Sequence, residues 1–483
     1  MQYRSIIRIL GLLVALFSVA MIPPALVSVI YADGSGLPFV TAFVISIVAG
    51  LSLWYPNREF KRDLKAREGF LIVVLFWTVL GSVGALPFIL LEQPKMTVAD
   101  AFFESFSGLT TTGATVIQGI DFLPKAVLFY RQQLQWLGGM GIIVLAVAIL
   151  PILGVGGMQL YRAETPGPIK DSKMTPRIAD TAKHLWYIYL ALTTACTLAY
   201  KVAGMGWFDA ICHAFSTIAI GGFSTHDASM GYFDSPLINI VCVVFLWISA
   251  LNFALHYAAV SGRTLKGYLF DPELKAFFML QFALILVCFL VLLHHNWYAS
   301  TEATLDQAMF QAVSISTTAG FATDSFAEWP LFLPILLIFA SFIGGCAGST
   351  GGGMKVIRIV LLYIQGMREV NRLIHPKAVY MVKLGNRALP DRVVDAVWGF
   401  FSAYAVVFVV IMLSLIATGM NDISAFSATA ACLNNLGPGL GQVAAHFGDV
   451  TDTGKWLLVV AMLFGRLEIF SLLVLFTPAF WRS

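Results

Sequence analysis

Residues 109–116 read LTTTGATV: three consecutive hydroxyl side chains, Thr110, Thr111 and Thr112, run into Gly113. Carbonyl oxygens can replace the water around a dehydrated cation when the backbone turns several of them toward one axis. A glycine permits the angles this needs. The stretch follows a short helix-like piece, DAFFESFSG from Asp100. Strongly apolar runs flank both, GFLIVVLFWTVLGSVGALPFILL before and GIIVLAVAILPIL after. A helix of about ten residues cannot cross a bilayer core of about 30 Å, which takes roughly 20. Such a half-helix has to dip in and its loop has to climb back out. Non-helical backbone at that depth survives only inside protein or along a water-filled cavity.

The segment recurs. AFFESFSGLTTTGA runs from Ala101, AICHAFSTIAIGGF from Ala210, AMFQAVSISTTAGF from Ala308 and AFSATAACLNNLGP from Ala425. Each alanine stands twelve positions before a glycine: Gly113, Gly222, Gly320 or Gly437. Serine stands six before it in three copies (Ser107, Ser216, Ser314), and Ala431 takes that place in the fourth. Acidic Asp100, Asp209, Asp306 and Asp422 open the copies, and the glycines are 109, 98 and 117 residues apart. Four half-helices with their carbonyl ends pointing inward would aim partial negative charge at one centre. The candidate cation ligands are the backbone carbonyls of Thr111, Thr112 and Gly113, of Ile220, Gly221 and Gly222, of Thr318, Ala319 and Gly320, and of Asn435, Leu436 and Gly437. The side chains differ between copies, as they can if carbonyls do the coordinating. Size and field strength of such a ring suit potassium, and composition alone leaves sodium open.

The elements that must hold these loops are legible in composition. The chain of 483 residues is 58% hydrophobic and 12% charged, too little charge for a soluble surface of that size. Ten candidate spans follow: 5–31, 36–55, 68–92, 125–155, 184–205, 235–261, 275–294, 330–362, 392–418 and 454–480. Their pattern is helical, without the period-2 alternation of barrel strands. Segments 58–67, 162–183, 263–275 and 355–392 hold 21 of the 30 Lys and Arg residues. Basic connections stay cytoplasmic, so both termini are expected there. The outer connections are acidic, which is either ordinary loop polarity or a device that gathers cations. Six cysteines lie in or beside apolar segments with no CxxC, as packing residues do. The expected fold is all-α and polytopic. Two extra N-terminal helices (1–67) precede four parallel helix–pore-helix–helix units around one central pore, at 68–161, 162–262, 263–370 and 371–483.

A second oddity is GGCAGSTGGGMK at 344–355, where six of twelve residues are glycine. Each glycine costs about 1 kcal/mol against alanine inside a helix, so the eighth span should break there. An intramembrane loop at 344–353, with Gly344, Gly345, Gly348, Gly351, Gly352 and Gly353, is expected to plug the pore and move aside on opening. A bent span or a closely packed glycine face is the alternative. A phosphate loop is not expected, because no GK[ST] ending and no soluble strand accompany the run. Ionisable residues inside spans are functional candidates: Arg466 in FGRLEIF, with Glu468 as a possible ion-pair partner, is the sharpest. Glu104 and His213, each nine before its glycine, read as hydrogen-bonding groups of the half-helices, Arg131 as an interface anchor and His256 as a satisfied core histidine.

The strings TTTGAT, AIGGFST, TTAGFAT and NNLGPG, in a fourfold unit with one glycine per copy, resemble the Trk/Ktr/HKT superfamily of potassium transporters, in its bacterial TrkH/TrkG branch. The resemblance covers essentially the whole chain. It implies a potassium pore in each subunit, with K⁺ as substrate and no organic cofactor. It further implies residence in the inner membrane, a homodimer, and a cytoplasmic nucleotide-binding regulatory ring of the TrkA type. No nucleic-acid partner is expected. It also implies that Arg466 sits just inside the filter and hinders cation passage. The basic loops 355–392 and 162–183 are candidate docking surfaces for the regulatory partner. No enzyme motif (HExxH, GxSxG, paired carboxylates) is present. The rival reading is a proton- or sodium-coupled secondary transporter, a class that also uses repeats and broken helices. Such repeats are commonly inverted, whereas all four units here begin with an inner-to-outer span.

Overall fold

The computed structural model describes residues 3–60, 66–141, 178–262, 264–378, 380–385, 387–389, 391–467 and 469–482. Apolar stretches become helices in this chain because hydrocarbon leaves their backbone no other hydrogen-bond partner. The first span is α1 (Tyr3–Ser18) continued by α2 (Ile22–Tyr31), and the second is α3 (Gly36–Trp54). Then come α4 (Ala66–Leu90), α5 (Val98–Leu109), α6 (Lys125–Gly139), α7 (Ile178–Val202) and α8 (Trp207–Ala219). The chain continues through α9 (Pro236–Ala250), α10 (Phe253–Gly262), α11 (Lys266–Phe270), α12 (Pro272–His294) and α13 (Thr301–Ser316). The last part holds α14 (Leu333–Ile343), α15 (Val356–Ile374), α16 (Asp391–Ala417), α17 (Asp422–Leu433), α18 (Asp452–Arg466), and the short α19 (Phe470–Leu473) and α20 (Pro478–Trp481). The protein is predominantly helical. One departure from all-α is a two-residue ladder, β1 (Lys383–Leu384) paired antiparallel with β2 (Arg387–Ala388), with Lys383 opposite Ala388.

Continuous helices do not account for ten spans. Among the described residues five are long and apolar enough to cross a bilayer: Tyr3–Tyr31, Gly36–Asn57, Glu68–Leu90, Pro272–His294 and Val393–Ala417. The difference has a physical cause, because four of the other expected spans are interrupted. The stretch 235–261 divides into α9 and α10, bent by 88° at Leu251–Asn252. The stretch 330–362 breaks into α14 and α15 around the glycine run, as its composition requires. Helix α18 stops at Arg466 and a short α19 resumes at Phe470, where Ile469 adopts φ 54°. Helix α6 stops at Gly139; the rest of 125–155 beyond Gly141, and residues 162–177 of the second candidate docking loop, lie outside the described residues.

The packing is cyclic. Helix α5 lies against α4, α6 and α18; α8 against α7, α9 and α6; α13 against α12, α14 and α9; α17 against α16, α18 and α14. Each short helix thus sits between the long helix before it, the helix after it, and the helix that follows the preceding short helix. The outer face of α12 is apolar and uncovered, with Met279, Phe282, Leu286 and Leu290 spaced three or four apart and more than half exposed, as a surface in contact with hydrocarbon should be. The six cysteines are buried and unpaired, as packing residues.

Candidate functional site

The four short helices are capped at their N-terminal ends where the sequence supplies a cap. Thr97 and Asp100 form a reciprocal capping box on α5, Ser300 accepts from Ala303 N on α13 and Asn421 from Ser424 N on α17; α8 starts at Gly206 without a side-chain cap. Such caps satisfy the orphan N–H groups of a first turn. At the inner end all four do the same thing. A residue in the left-handed region ends the helix, Thr111 (φ 55°), Ile220 (53°), Thr318 (70°) or Asn435 (54°), and two positions on stands a left-handed glycine, Gly113 (80°), Gly222 (79°), Gly320 (77°) or Gly437 (104°). Left-handed angles are strained for threonine and isoleucine, though asparagine takes them more readily, so the backbone at Thr111, Ile220 and Thr318 is held there by its surroundings. Between them Thr112, Gly221, Ala319 and Leu436 each donate N–H to a carbonyl five residues back, at 2.8, 2.8, 2.8 and 2.7 Å. An alternating hand turns consecutive peptide planes the same way, whereas along a strand they alternate.

The loops meet in a closed cycle. A Cβ added to Gly113 would stand 2.1 Å from the Gly221 carbonyl oxygen, one on Gly222 2.0 Å from that of Ala319, one on Gly320 2.0 Å from that of Leu436, and one on Gly437 2.8 Å from that of Thr112. First touches second, second third, third fourth, and fourth first. No side chain fits at any of the four glycines without moving a neighbour's carbonyl. The twelve residues singled out from the sequence are therefore brought together at one place. Among the described residues no group of three or more His, Cys, Asp or Glu is placed to hold a metal ion.

Side chains brace each loop from behind. Ser107 and Ser314 donate to the Ala114 and Phe321 carbonyls at 2.5 and 2.7 Å. In three of the four copies the residue nine before the glycine reaches its own returning loop; the fourth copy has Ala428 at that place. The Glu104 carboxylate accepts from the Thr115 hydroxyl and Val116 N, His213 Nε2 and the Ser224 hydroxyl are 2.9 Å apart, and Gln311 donates to the Asp324 carbonyl at 2.8 Å. Glu104 and His213 serve as their position suggested. Gln311 belongs with them and its spacing from Gly320 could have found it.

Arg131 is no interface anchor: both it and Glu104 are fully buried, 2.7 Å apart. Its guanidinium also donates to the Ser224 carbonyl and the Thr115 hydroxyl and lies 4.3 Å from the Phe223 ring centroid. One turn on, Gln135 donates to the Gly221 carbonyl at 2.6 Å and accepts from Phe223 N at 3.1 Å. Helix α6 thus ties the first loop to the second. Gln135 went unnoticed in the sequence; the signal was the run RQQLQ inside an apolar span. Asn435 joins fourth to first, donating to the Thr112 hydroxyl at 3.0 Å and the Met462 carbonyl at 3.1 Å. His256 is satisfied, by the Tyr268 hydroxyl at 2.7 Å and the Ile248 carbonyl at 2.9 Å.

At the N-terminal ends of the short helices the connections are stapled together. His226 Nδ1 lies 2.5 Å from Asp121 Oδ1, its Nε2 lies 3.7 Å from Asp209, and its ring stacks on Tyr232 at 3.4 Å. Burial opposes the imidazolium, yet the two carboxylates win and hold the His226 pKa above its ordinary 6.5. Asp121 and Asp227 exchange N–H to carboxylate bonds at 3.3 Å. Phe447 N donates to the Thr115 carbonyl at 2.8 Å, and Gly231 N to that of Ala322 at 3.1 Å.

Beneath the cycle runs the non-helical segment 344–355. Thr350 donates to the Ile218 carbonyl at 2.9 Å, Gly352 N to the Thr318 hydroxyl at 2.7 Å, and Gly353 N to the Asn434 carbonyl at 3.0 Å. The segment is thereby seated on the inner ends of three of the four short helices. Gly352 has no room for a side chain, since a Cβ there would be 1.9 Å from the Asn434 carbonyl oxygen. Lys355, at φ 78°, donates to the Gly351 carbonyl. Arg466, at the end of α18, donates to the Thr350 carbonyl at 3.2 Å and to the Gly138 carbonyl at 2.6 Å, with Trp77 5.2 Å away. It bridges the glycine segment and the carbonyl end of α6, a site that suits a cation. The pairing with Glu468 lies outside the described residues.

Comparison with known proteins supplies the family. A sequence profile of the TrkH family, described as cation transport protein, matches residues 35–483. The Trk system potassium uptake protein TrkH of Vibrio parahaemolyticus is 70% identical, over the whole of both chains. TrkH of Escherichia coli K12 is 66% identical over both whole chains, and TrkG of the same organism 42% identical over 99% of each. The crystal structure of the potassium transporter TrkH from Vibrio parahaemolyticus matches with a TM-score of 0.92 at 67% identity, covering both chains fully. The chain belongs to the TrkH family of cation transport proteins.

Proposed function

We propose that this chain takes up potassium across the bacterial inner membrane through a four-part filter of backbone carbonyls, Thr111–Gly113, Ile220–Gly222, Thr318–Gly320 and Asn435–Gly437. The observation that carries the reading is the closed cycle, in which each glycine abuts the carbonyl that precedes the next one. A ring of this kind offers a dehydrated cation oxygen ligands from four sides. The names of the relatives, potassium uptake proteins, supply the ion. A proton- or sodium-coupled carrier is the less favoured reading, because the four short helices turn their carbonyl ends to the same place and none is inverted.

In this reading four units, at 68–161, 162–262, 263–370 and 371–483, follow two extra helices. Segment 344–353 closes the pathway from inside, and the positive charge of Arg466 opposes cations below the filter. Distribution of basic residues supports cytoplasmic termini, and family resemblance supports a homodimer controlled by a nucleotide-binding ring on loop 355–392.

The test is ion uptake in a bacterium lacking its own potassium transport, comparing the parent chain with Gly113→Ser. The parent should restore growth at low potassium, and the variant should admit more sodium, because its side chain displaces the Gly221 carbonyl. Rescue indifferent to the substitution, or no cation flux, would overturn the filter reading.

A further inference from the structure

Glu273 is a buried carboxylate in the first turn of α12, only 8% exposed. It belongs neither to the filter nor to the bracing side chains. One of its oxygens, Oε1, accepts two backbone hydrogen bonds, from Ala347 N at 2.7 Å and from Ile357 N at 3.2 Å. Ala347 lies where the glycine segment begins, and Ile357 in the first turn of α15, just after the segment ends. A single oxygen atom thus pins the entry and the exit of the loop to one point.

Geometry and charge favour this contact. The first N–H groups of α15 have no partner inside their own helix, and Ile357 N is among them. The positive end of a helix dipole favours an anion there. Lys355, the residue preceding α15, makes no side-chain cap. The cap is supplied instead from α12, whose own start is fixed by Asp271 accepting from Leu274 N at 2.9 Å. Immediately before lies α11, joined to α12 by the single residue Asp271. Displacement of the α11–α12 junction would therefore carry Glu273 with it and remove the one hold that the two ends of the loop share.

We propose that Glu273 is the latch of the glycine segment: a positioning residue that holds residues 344–355 in the blocking arrangement, released when the first turn of α12 withdraws. The proposal rests on the reading of 344–353 as a gate. It gives the α11–α12 junction the task of transmitting cytoplasmic events to the pore.

The experiment is rubidium and sodium flux through the full-length chain in proteoliposomes without any regulatory partner. Glu273→Ala should raise rubidium flux by roughly ten- to hundredfold, the worth of charge-assisted hydrogen bonds that hold only the closed state. Glu273→Gln, which keeps a neutral acceptor, should fall between it and the parent. Glu273→Asp keeps the charge but draws the oxygen back by a methylene, and decides the matter if the alanine variant does not fold. The rubidium-to-sodium ratio should stay at the parental value in all of them, since a latch acts on the gate and not on the filter. Raised flux with lost selectivity would overturn the proposal, as would flux unchanged in Glu273→Ala and Glu273→Asp. Deletion of 345–352 separates the two failures. If the deletion raises flux and the Glu273 variants do not, the latch is wrong and the gate stands; if neither raises it, both are wrong.

Discussion

Replacing Arg131 by methionine should be the most damaging single change behind the four loops, although Arg131 is not one of their twelve residues. Methionine keeps much of the aliphatic stem and removes the charge. Glu104 would then be a fully buried carboxylate with only the Thr115 hydroxyl and Val116 N as partners. Breaking a buried ion pair from one side costs about 3–5 kcal/mol. The hydrogen bonds to Ser224 and Thr115 would add about 1–3 kcal/mol where an acceptor is left unsatisfied. The contact with Phe223 is worth about 0.5–2 kcal/mol. The uncompensated charge is the largest of the three, so removing the second charge should undo most of the damage. Glu104→Gln with Arg131→Met should lie nearer the parent than either single variant, because an apolar or neutral replacement of a whole buried pair is often close to neutral. The assay is the temperature at which half the monodisperse protein is lost in detergent, together with rubidium and sodium flux in proteoliposomes. Since Arg131 spans the first and second loops, Arg131→Met should also lower the rubidium-to-sodium ratio. Arg131→Met as stable as the parent, or a double variant as poor as the two singles combined, would refute the reasoning.

Three further outcomes are expected. His226 has a folded-state pKa above 6.5, so its protonated clasp on Asp121 and Asp209 contributes fully below pH 6.5 and is lost as pH rises through the folded value; thermal stability should fall from pH 6 to pH 9, and His226→Gln should flatten that dependence. Gly352→Ala must move the segment about 1.5 Å to bring its Cβ from 1.9 Å to the 3.4 Å of ordinary contact with Asn434, and partner-free flux should rise; unchanged flux would mean the segment does not block. If the proposed barrier role holds, Arg466→Gln, which removes the positive charge and the bonds to the Thr350 and Gly138 carbonyls, should increase cation flux, and a folded variant with reduced flux would contradict that role.

Sequence reading succeeded where backbone conformation was the message. Gly113, Gly222, Gly320 and Gly437 repeat because each needs the left-handed region and a missing side chain at once, and a repeated requirement leaves a repeated letter. The break at 344–355 was legible for the same reason: six glycines cannot continue a helix. Contacts between distant elements left no such trace. Arg131 near the start of an apolar stretch looks like an anchor until its partner, 27 residues away, is seen to be equally buried. Gln135 and Glu273 act on backbone atoms 86, 74 and 84 residues distant, and a backbone partner imposes no residue type that could be recognised. The 88° bend after Ala250 carries no proline or glycine; Leu251 and Asn252 give way there because Cys346 N and Gly348 O bond to the exposed backbone. Hydropathy counted one span where there are two helices.

All four glycines belong to one polypeptide, and this gives the site a kind of arithmetic. In a ring of four identical subunits, every substitution is delivered four times over. Here a change at Gly113 alters one contact of four, and Gln135 stands behind the second quarter alone. Selectivity can therefore drift in small increments, quarter by quarter. The same freedom lets a single quarter specialise, and the third has done so by breaking its own second helix into a loop that reaches the second and fourth short helices as well as its own.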